Sequence, residues 1–185
     1  MKQIVMSVFV AGILVGCATA QSPPSEPEAP ATSSLTPVAG PCDSAPYNAF
    51  DFWLGHWDVT DPAGTPQGSN IISREENGCL LIERWTSVAG NTGQSYNFYN
   101  PDTDKWRQVW VSSGAIIDYS GGLTEEGAMK LEGHISPRPG TPSLPFTGEW
   151  TLNEDGSVTQ HFEQYDPEAD VWNVWFTGIY RKKEG

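Results

Sequence analysis

The sequence predicts an all-β protein, a single antiparallel meander barrel of about ten strands. From Tyr47 onwards, turn signals recur about every eight to twelve residues. The segments between them are rich in β-branched and aromatic residues, and no segment after Gly55 has a useful length of helical periodicity. We expect the meander to close because an open one would leave unpaired edge strands.

Residues 1–16 are predicted to be a secretory signal peptide. Lys2 supplies the positive charge, and residues 4–15 form an apolar run that is shorter than the roughly 20 residues of a membrane-spanning helix. The sequence therefore predicts export.

Two cleavage sites follow the apolar run. The residues L-V-G-C, which end at Cys17, resemble a bacterial lipobox, in which the cysteine is lipidated after cleavage before it. Cleavage after Ala20, at the A-T-A site, would instead release an unlipidated protein. We expect a cell-envelope lipoprotein, periplasmic or anchored to the outer membrane through Cys17, with release after Ala20 as the alternative.

Residues 17–41 are predicted to form a disordered tether that precedes the barrel domain, residues 42–185. Residues 18–41 contain six prolines and no aromatic residue, so they cannot bury enough apolar surface to fold.

The cysteines predict a disulfide. With Cys17 assigned to lipidation, Cys42 and Cys79 remain as an even pair in an oxidising compartment. A bond between them would stabilise the fold by about 4 kcal/mol in the chain-entropy model. The alternative is two buried free thiols.

The charge limits the partners. The formal net charge is −13, and removal of Lys2 with the signal makes it −14. Such an acidic chain is unsuited to bind nucleic acid or to dock on anionic lipid through a basic patch. The expected partners are a small apolar molecule and, only through the lipid on Cys17, the membrane.

The strands are predicted from composition and from the turns that bound them. Asn or Asp followed by Pro, at Asp61, Asn100 and Asp166, sets the first two positions of a type I turn, and Gly127 and Gly156 supply left-handed residues in two further hairpins. A short capping helix is expected around residues 49–54. The predicted strands span residues 56–61, 69–76, 79–88, 94–99, 105–112, 115–123, 128–136, 146–152, 157–165 and 171–181.

Residues 50–59, F-D-F-W-L-G-H-W-D-V, resemble the opening of the calycins, which include lipocalins, fatty-acid-binding proteins and nitrobindin-like barrels. The resemblance implies that Gly55 lets the chain turn into the first strand and that Trp57 plugs the closed end. It also implies that an arginine of the last strand, here Arg181, stacks on Trp57.

A second motif, N-F-Y-N-P-D-T-D-K-W-R-Q-V-W at residues 97–110, extends this resemblance. Together the two motifs make residues 42–181 similar to a bacterial domain family of unknown function. The similarity implies a calycin-like barrel and export, and no established activity.

A ligand would contact the side chains that point into the barrel, and these alternate along each strand. On the fifth predicted strand, Trp106, Gln108 and Trp110 share one face, which suits an apolar pocket with one orienting amide. A filled core is the alternative. The strand alternation does not select the inner face of the last strand, where Trp175 points inward if Arg181 reaches Trp57. The predicted ligand-binding residues are Trp85, Trp106, Gln108, Trp110, Gln160 and Trp175.

The sequence is also compatible with other functions. An enzyme of the same fold could use a pocket carboxylate, Glu83 or Glu163, with His161, although no catalytic residue is assigned. A packed barrel could serve as an envelope interaction module. No metal or cofactor is expected, since the three histidines lack ligand spacing and the cysteines are assigned to lipidation and to the disulfide. Haem held by His161, as in nitrobindin-like barrels, is an alternative.

Overall fold

The computed structural model describes residues 40–137 and 141–183. The predicted signal peptide, Cys17, Ala20 and the tether as far as residue 39 lie outside the described residues.

Ten antiparallel strands form a closed barrel, in which each strand pairs with its sequence neighbours and the first pairs with the last. The predicted meander is confirmed, with strand ends displaced by three residues or fewer. The strands are β1 (Gly55–Thr60), β2 (Pro66–Glu75), β3 (Leu80–Ser87), β4 (Thr92–Asn100), β5 (Lys105–Ser112), β6 (Ala115–Leu123), β7 (Met129–Pro137), β8 (Leu144–Leu152), β9 (Val158–Asp166) and β10 (Val171–Lys182).

The hairpin turns are formed by the residues that the sequence predicts for them. Asn100 and Asp166 each accept a backbone N–H through the side-chain oxygen, at 3.0 and 2.9 Å. Gly127 and Gly156 have φ values of 83° and 78°, the left-handed region in which glycine lacks a steric penalty. These local signals fix the strand ends.

A short helical segment leads into β1. It consists of α1 (Ala45–Asn48) and a 3-10 turn (Asp51–Trp53), so it begins earlier than predicted. Pro46 lies in the first turn of α1. Backbone N–H groups there have no acceptor within the helix, so proline, which lacks this N–H, costs no helical hydrogen bond. Phe50 separates the two turns with non-helical backbone angles.

The helical segment closes one end of the barrel with aromatic rings. The ring of Phe50 stacks on Trp53 at 5.0 Å and meets Trp106 and Trp150 edge-on at 5.7 and 5.2 Å. The indole N–H of Trp106 donates to the Pro46 carbonyl at 2.9 Å. We call these rings, together with Trp57, the plug.

Trp57 anchors the start of β1 within the plug. It is 1% exposed, and its indole N–H donates to the Trp53 carbonyl at 2.9 Å. Gly55 has a φ of 139°, a region that residues with a Cβ rarely adopt, so the chain turns here into β1.

Lys182, rather than Arg181, lies over Trp57. The register pairs Trp57 with Lys182, whose Nζ lies 5.5 Å from the ring centroid. Arg181 pairs with Asp58, one position along, and is exposed. The expected stacking of Arg181 is therefore wrong, because adjacent strand residues point to opposite faces.

The Cys42–Cys79 disulfide is present and closes a loop across 37 sequence positions. It joins the segment before α1 to the connection between β2 and β3. Arg74 of β2 reinforces this junction by donating to the Gly78 carbonyl at 3.0 Å and to the Asp51 carboxylate. The bond indicates an oxidising compartment, because cytosolic thiols stay reduced.

Candidate functional site

A cavity of about 200 Å³ lies inside the barrel. Its lining residues belong to β3, β5, β6, β9 and β10, and are Glu83, Trp85, Gln108, Trp110, Ile117, Tyr119, Gln160, Phe162, Trp175, Phe176 and Tyr180. Five of the six predicted ligand-binding residues are among them.

The three inward residues of β5 occupy different depths. Trp106 is 4% exposed and packs in the plug, so it does not line the cavity. Gln108 lines the cavity at mid-depth, and Trp110 lines it farther from the plug. The sequence pattern correctly placed all three residues on one face. It could not show that Trp106 packs in the plug instead of lining the cavity.

Trp175 reaches the cavity through a β-bulge. The register between β9 and β10 shifts between Val174 and Phe176, which leaves Trp175 as the extra residue. Its ring lies 5.6 Å from Phe146 and 6.2 Å from Phe162, although the residue is 53% exposed. The strand alternation failed to select an inner face here because the bulge lets both Trp175 and Phe176 line the cavity.

Glycines make room for the tryptophans that line the cavity. A Cβ at Gly93 would lie 2.1 Å from the Trp110 ring, and one at Gly68 would lie 2.8 Å from the Trp85 ring. Each indole therefore lies against the glycine of a neighbouring strand. We call Trp85, Trp110 and Trp175 the rim.

A belt of buried polar side chains separates the rim from the plug. They form one hydrogen-bonded chain that crosses seven of the ten strands. The members of this polar belt are Asn70, Glu83, Ser95, Asn97, Gln108, Tyr119, Gln160 and Tyr180.

The polar belt has two arms that meet at Glu83, and in the first arm every hydrogen bond is donated in the direction of Glu83. Tyr119 donates its hydroxyl to the Gln108 amide oxygen, and the Gln108 amide donates to Asn97. Asn97 donates to Ser95 at 2.8 Å, and Ser95 donates to Oε2 of Glu83 at 2.6 Å. Glu83 is therefore the final acceptor of this arm.

The second arm begins at Asn70. Its amide nitrogen donates to Oε1 of Glu83 at 2.7 Å and to the Tyr180 hydroxyl at 3.3 Å. Tyr180 donates in turn to the Gln160 amide oxygen at 2.7 Å. The Gln108 and Gln160 amides, which the sequence assigned to orienting a ligand, thus also hold the barrel interior together.

Glu83 is the principal electrostatic feature of the site. It is 3% exposed, and burial raises its pKa from 4.5 to about 7, against the opposing effect of the Ser95 and Asn70 hydrogen bonds. Burial, and then the nearby Glu83 carboxylate, raise the pKa values of Tyr119 and Tyr180 well above 10. Both phenols therefore stay protonated and remain donors at neutral pH.

Sequence reasoning named Glu83 only as an alternative and missed most of the polar belt. Asn70, Ser95, Asn97, Tyr119 and Tyr180 were not identified. The available signal was a polar residue at the inward position of several strands, where an apolar side chain is usual. That signal depends on knowing the inward face.

His161 and Glu163 lie on the outer face of β9. The His161 Nδ1 lies 2.9 Å from the Thr177 hydroxyl, its Nε2 lies 3.8 Å from a Glu163 oxygen, and both side chains are more than a third exposed. The proposed pairing of His161 with a pocket carboxylate is therefore wrong. His161, the haem ligand of the alternative prediction, does not line the cavity.

Among residues 40–137 and 141–183, no group of three His, Cys, Asp or Glu side chains is arranged to hold a metal ion. None of the helices in these ranges is both long and apolar enough to cross a bilayer. Comparison with known proteins finds no matching family model and no matching curated protein.

The buried carboxyl makes stability depend on pH. A pKa raised from 4.5 to about 7 means that the folded state binds the proton more tightly than the unfolded state. The contribution of Glu83 to the free energy of unfolding is therefore fully present below pH 4.5. It is lost as the pH rises through 7, and the loss amounts to up to roughly 3 kcal/mol. Glu83→Gln should remove this part of the pH dependence in urea unfolding between pH 4.5 and 8.

The matched control is Glu163→Gln, which removes one carboxylate from the outer face. In this variant the slope of the free energy of unfolding against pH should remain that of the wild type. Equal slopes in wild type and Glu83→Gln would show that Glu83 titrates in the same way in both states. That result would contradict the burial argument.

Proposed function

We propose that this chain is an extracytoplasmic β-barrel that binds a small, mostly apolar molecule in its interior. The observation that carries the proposal is the cavity, whose walls are aromatic and whose floor is the polar belt. Apolar walls with a few fixed polar groups are typical of ligand sites. The closed ten-strand barrel fits a ligand-binding, calycin-like fold.

The cavity volume limits the ligand to a compact molecule. Its 200 Å³ is below the roughly 300–1,000 Å³ of sites for drug-sized ligands, whereas an engineered apolar cavity of about 150 Å³ holds benzene. A ligand of one or two rings fits this range. Burying about 200 Å² of its apolar surface would contribute on the order of 5 kcal/mol before association costs.

The proposed location follows from the sequence and the disulfide together. The disulfide indicates an oxidising compartment, and residues 1–17 resemble a lipoprotein signal. We therefore place the protein in the cell envelope, with its membrane attachment through lipid on Cys17.

Catalysis is a second candidate function. A buried carboxyl with a pKa of about 7, facing a cavity beside the Tyr180 hydroxyl, has the proton affinity that suits general acid–base work at neutral pH. Turnover of a bound ligand, abolished in Glu83→Gln while binding persists, would favour this alternative.

Membrane attachment is tested with Cys17→Ala expressed in a lipoprotein-processing host. The wild type should partition with membranes and the variant should not, because only the wild type can carry the lipid. A Cys42→Ala, Cys79→Ala double variant serves as the control for loss of a cysteine and should still partition. Unchanged partition of Cys17→Ala would instead favour cleavage after Ala20.

Ligand binding is tested by calorimetric titration with benzyl alcohol, a compact neutral probe. Wild-type protein should bind it, and Trp110→Ala should weaken binding at least about fivefold, because one wall of the cavity is lost. Trp172→Ala removes an exposed tryptophan that does not line the cavity and should bind like wild type. Equal loss in both variants, or no binding by wild type, would contradict the proposal.

A further inference from the structure

We infer that the ligand of this cavity is a small organic amine, whose ammonium group pairs with the Glu83 carboxylate while its apolar body lies against the rim. The inference rests on the proposed binding function and names the chemical class of the ligand. Three independent features of the site support it.

The first feature is a buried carboxylate with no cation to pair with. None of the ion pairs in the described part of the chain includes Glu83, and no Lys, Arg or His lines the cavity. A buried carboxylate is normally paired, because desolvation of an isolated charge is costly. A cationic ligand would supply the missing partner.

The second feature is unused acceptor capacity on Glu83. Asn70 donates to one carboxylate oxygen and Ser95 to the other. A carboxylate offers about four lone-pair sites, so roughly two remain for the N–H donors of a ligand. Since Glu83 lines the cavity, an ammonium group inside could reach it.

The third feature is the aromatic wall. Trp85, Trp110 and Trp175 line the same cavity as Glu83. The face of an indole ring carries partial negative charge and attracts cations, and this attraction strengthens when water is excluded. An ammonium compound with an apolar body can contact the indole rings of the rim and pair with the Glu83 carboxylate at the same time.

The charges around Glu83 favour a cation over an anion. The ionisable groups that face it are the phenols of Tyr119 and Tyr180, both protonated, while its other contacts, Asn70 and Ser95, are neutral. The chain as a whole carries a formal charge of −13, which attracts cations and repels anions over distance. An anionic ligand would place a second negative charge beside the Glu83 carboxylate, which has no cation to compensate its own charge.

The test compares three probes of similar size by calorimetry: benzylammonium, benzyl alcohol and benzoate. At pH 8, wild-type protein should bind benzylammonium at least about tenfold more tightly than benzyl alcohol, and benzoate most weakly. Glu83→Gln should abolish the preference, so that its affinities for benzylammonium and benzyl alcohol become similar. Glu163→Gln, which removes an outer carboxylate, should keep the preference.

The wild type also gives a test that needs no variant. Benzylammonium keeps its charge from pH 5 to 8, so its affinity should fall by up to about tenfold per pH unit as Glu83 becomes protonated below about pH 7, while benzyl alcohol affinity stays constant. A constant ratio of the two affinities across this range would overturn the inference.

The outcomes separate the inference from the proposed function. If benzyl alcohol binds as tightly as benzylammonium, or benzoate binds best, the amine assignment is wrong and the binding function stands. If none of the three probes binds, both the assignment and the proposed function fail.

Discussion

The burial of Glu83 is the constraint around which the interior of this barrel is organised. A carboxylate removed from water without a cation must be stabilised by hydrogen bonds or must bind a proton. Asn70 and Ser95 supply two donors. Asn70 also links Glu83 to Tyr180, and Ser95 links it through two amides to Tyr119. Since a polar group left without a partner here would be costly, each member of the polar belt fixes the position of the next.

The same alternation along the strands produces the plug, the polar belt and the rim. On β3 the inward residues are Leu81, Glu83 and Trp85, and on β5 they include Trp106 and Trp110 on either side of an amide. Each of these two strands thus contributes an apolar residue near the closed end, a polar residue in the middle and an aromatic residue at the cavity. The cavity lies above a polar floor because the strands are in register.

Local sequence was sufficient to predict the fold, whereas the site depended on the pairing between strands. Hairpins such as the one at Asn100 are encoded by a few adjacent residues, and so the meander was predictable. The bulge at Trp175 and the contact of Lys182 with Trp57 arise from register, which alternation along one strand does not reveal. The bonds between Glu83 and its partners on other strands were hidden for the same reason.

Glu83 is buried, and burial gives its carboxyl a proton affinity far above that of an ordinary glutamate. The most direct measurement is a pH titration of its side-chain carboxyl carbon by ¹³C NMR in the ligand-free protein, assigned by the loss of the signal in Glu83→Gln. We expect a midpoint at about 7, with the other glutamate signals available as internal references. A midpoint near 4.5 would show that the charge of Glu83 is already compensated in the ligand-free protein, and would contradict the cation site, which rests on a buried carboxylate that lacks compensation.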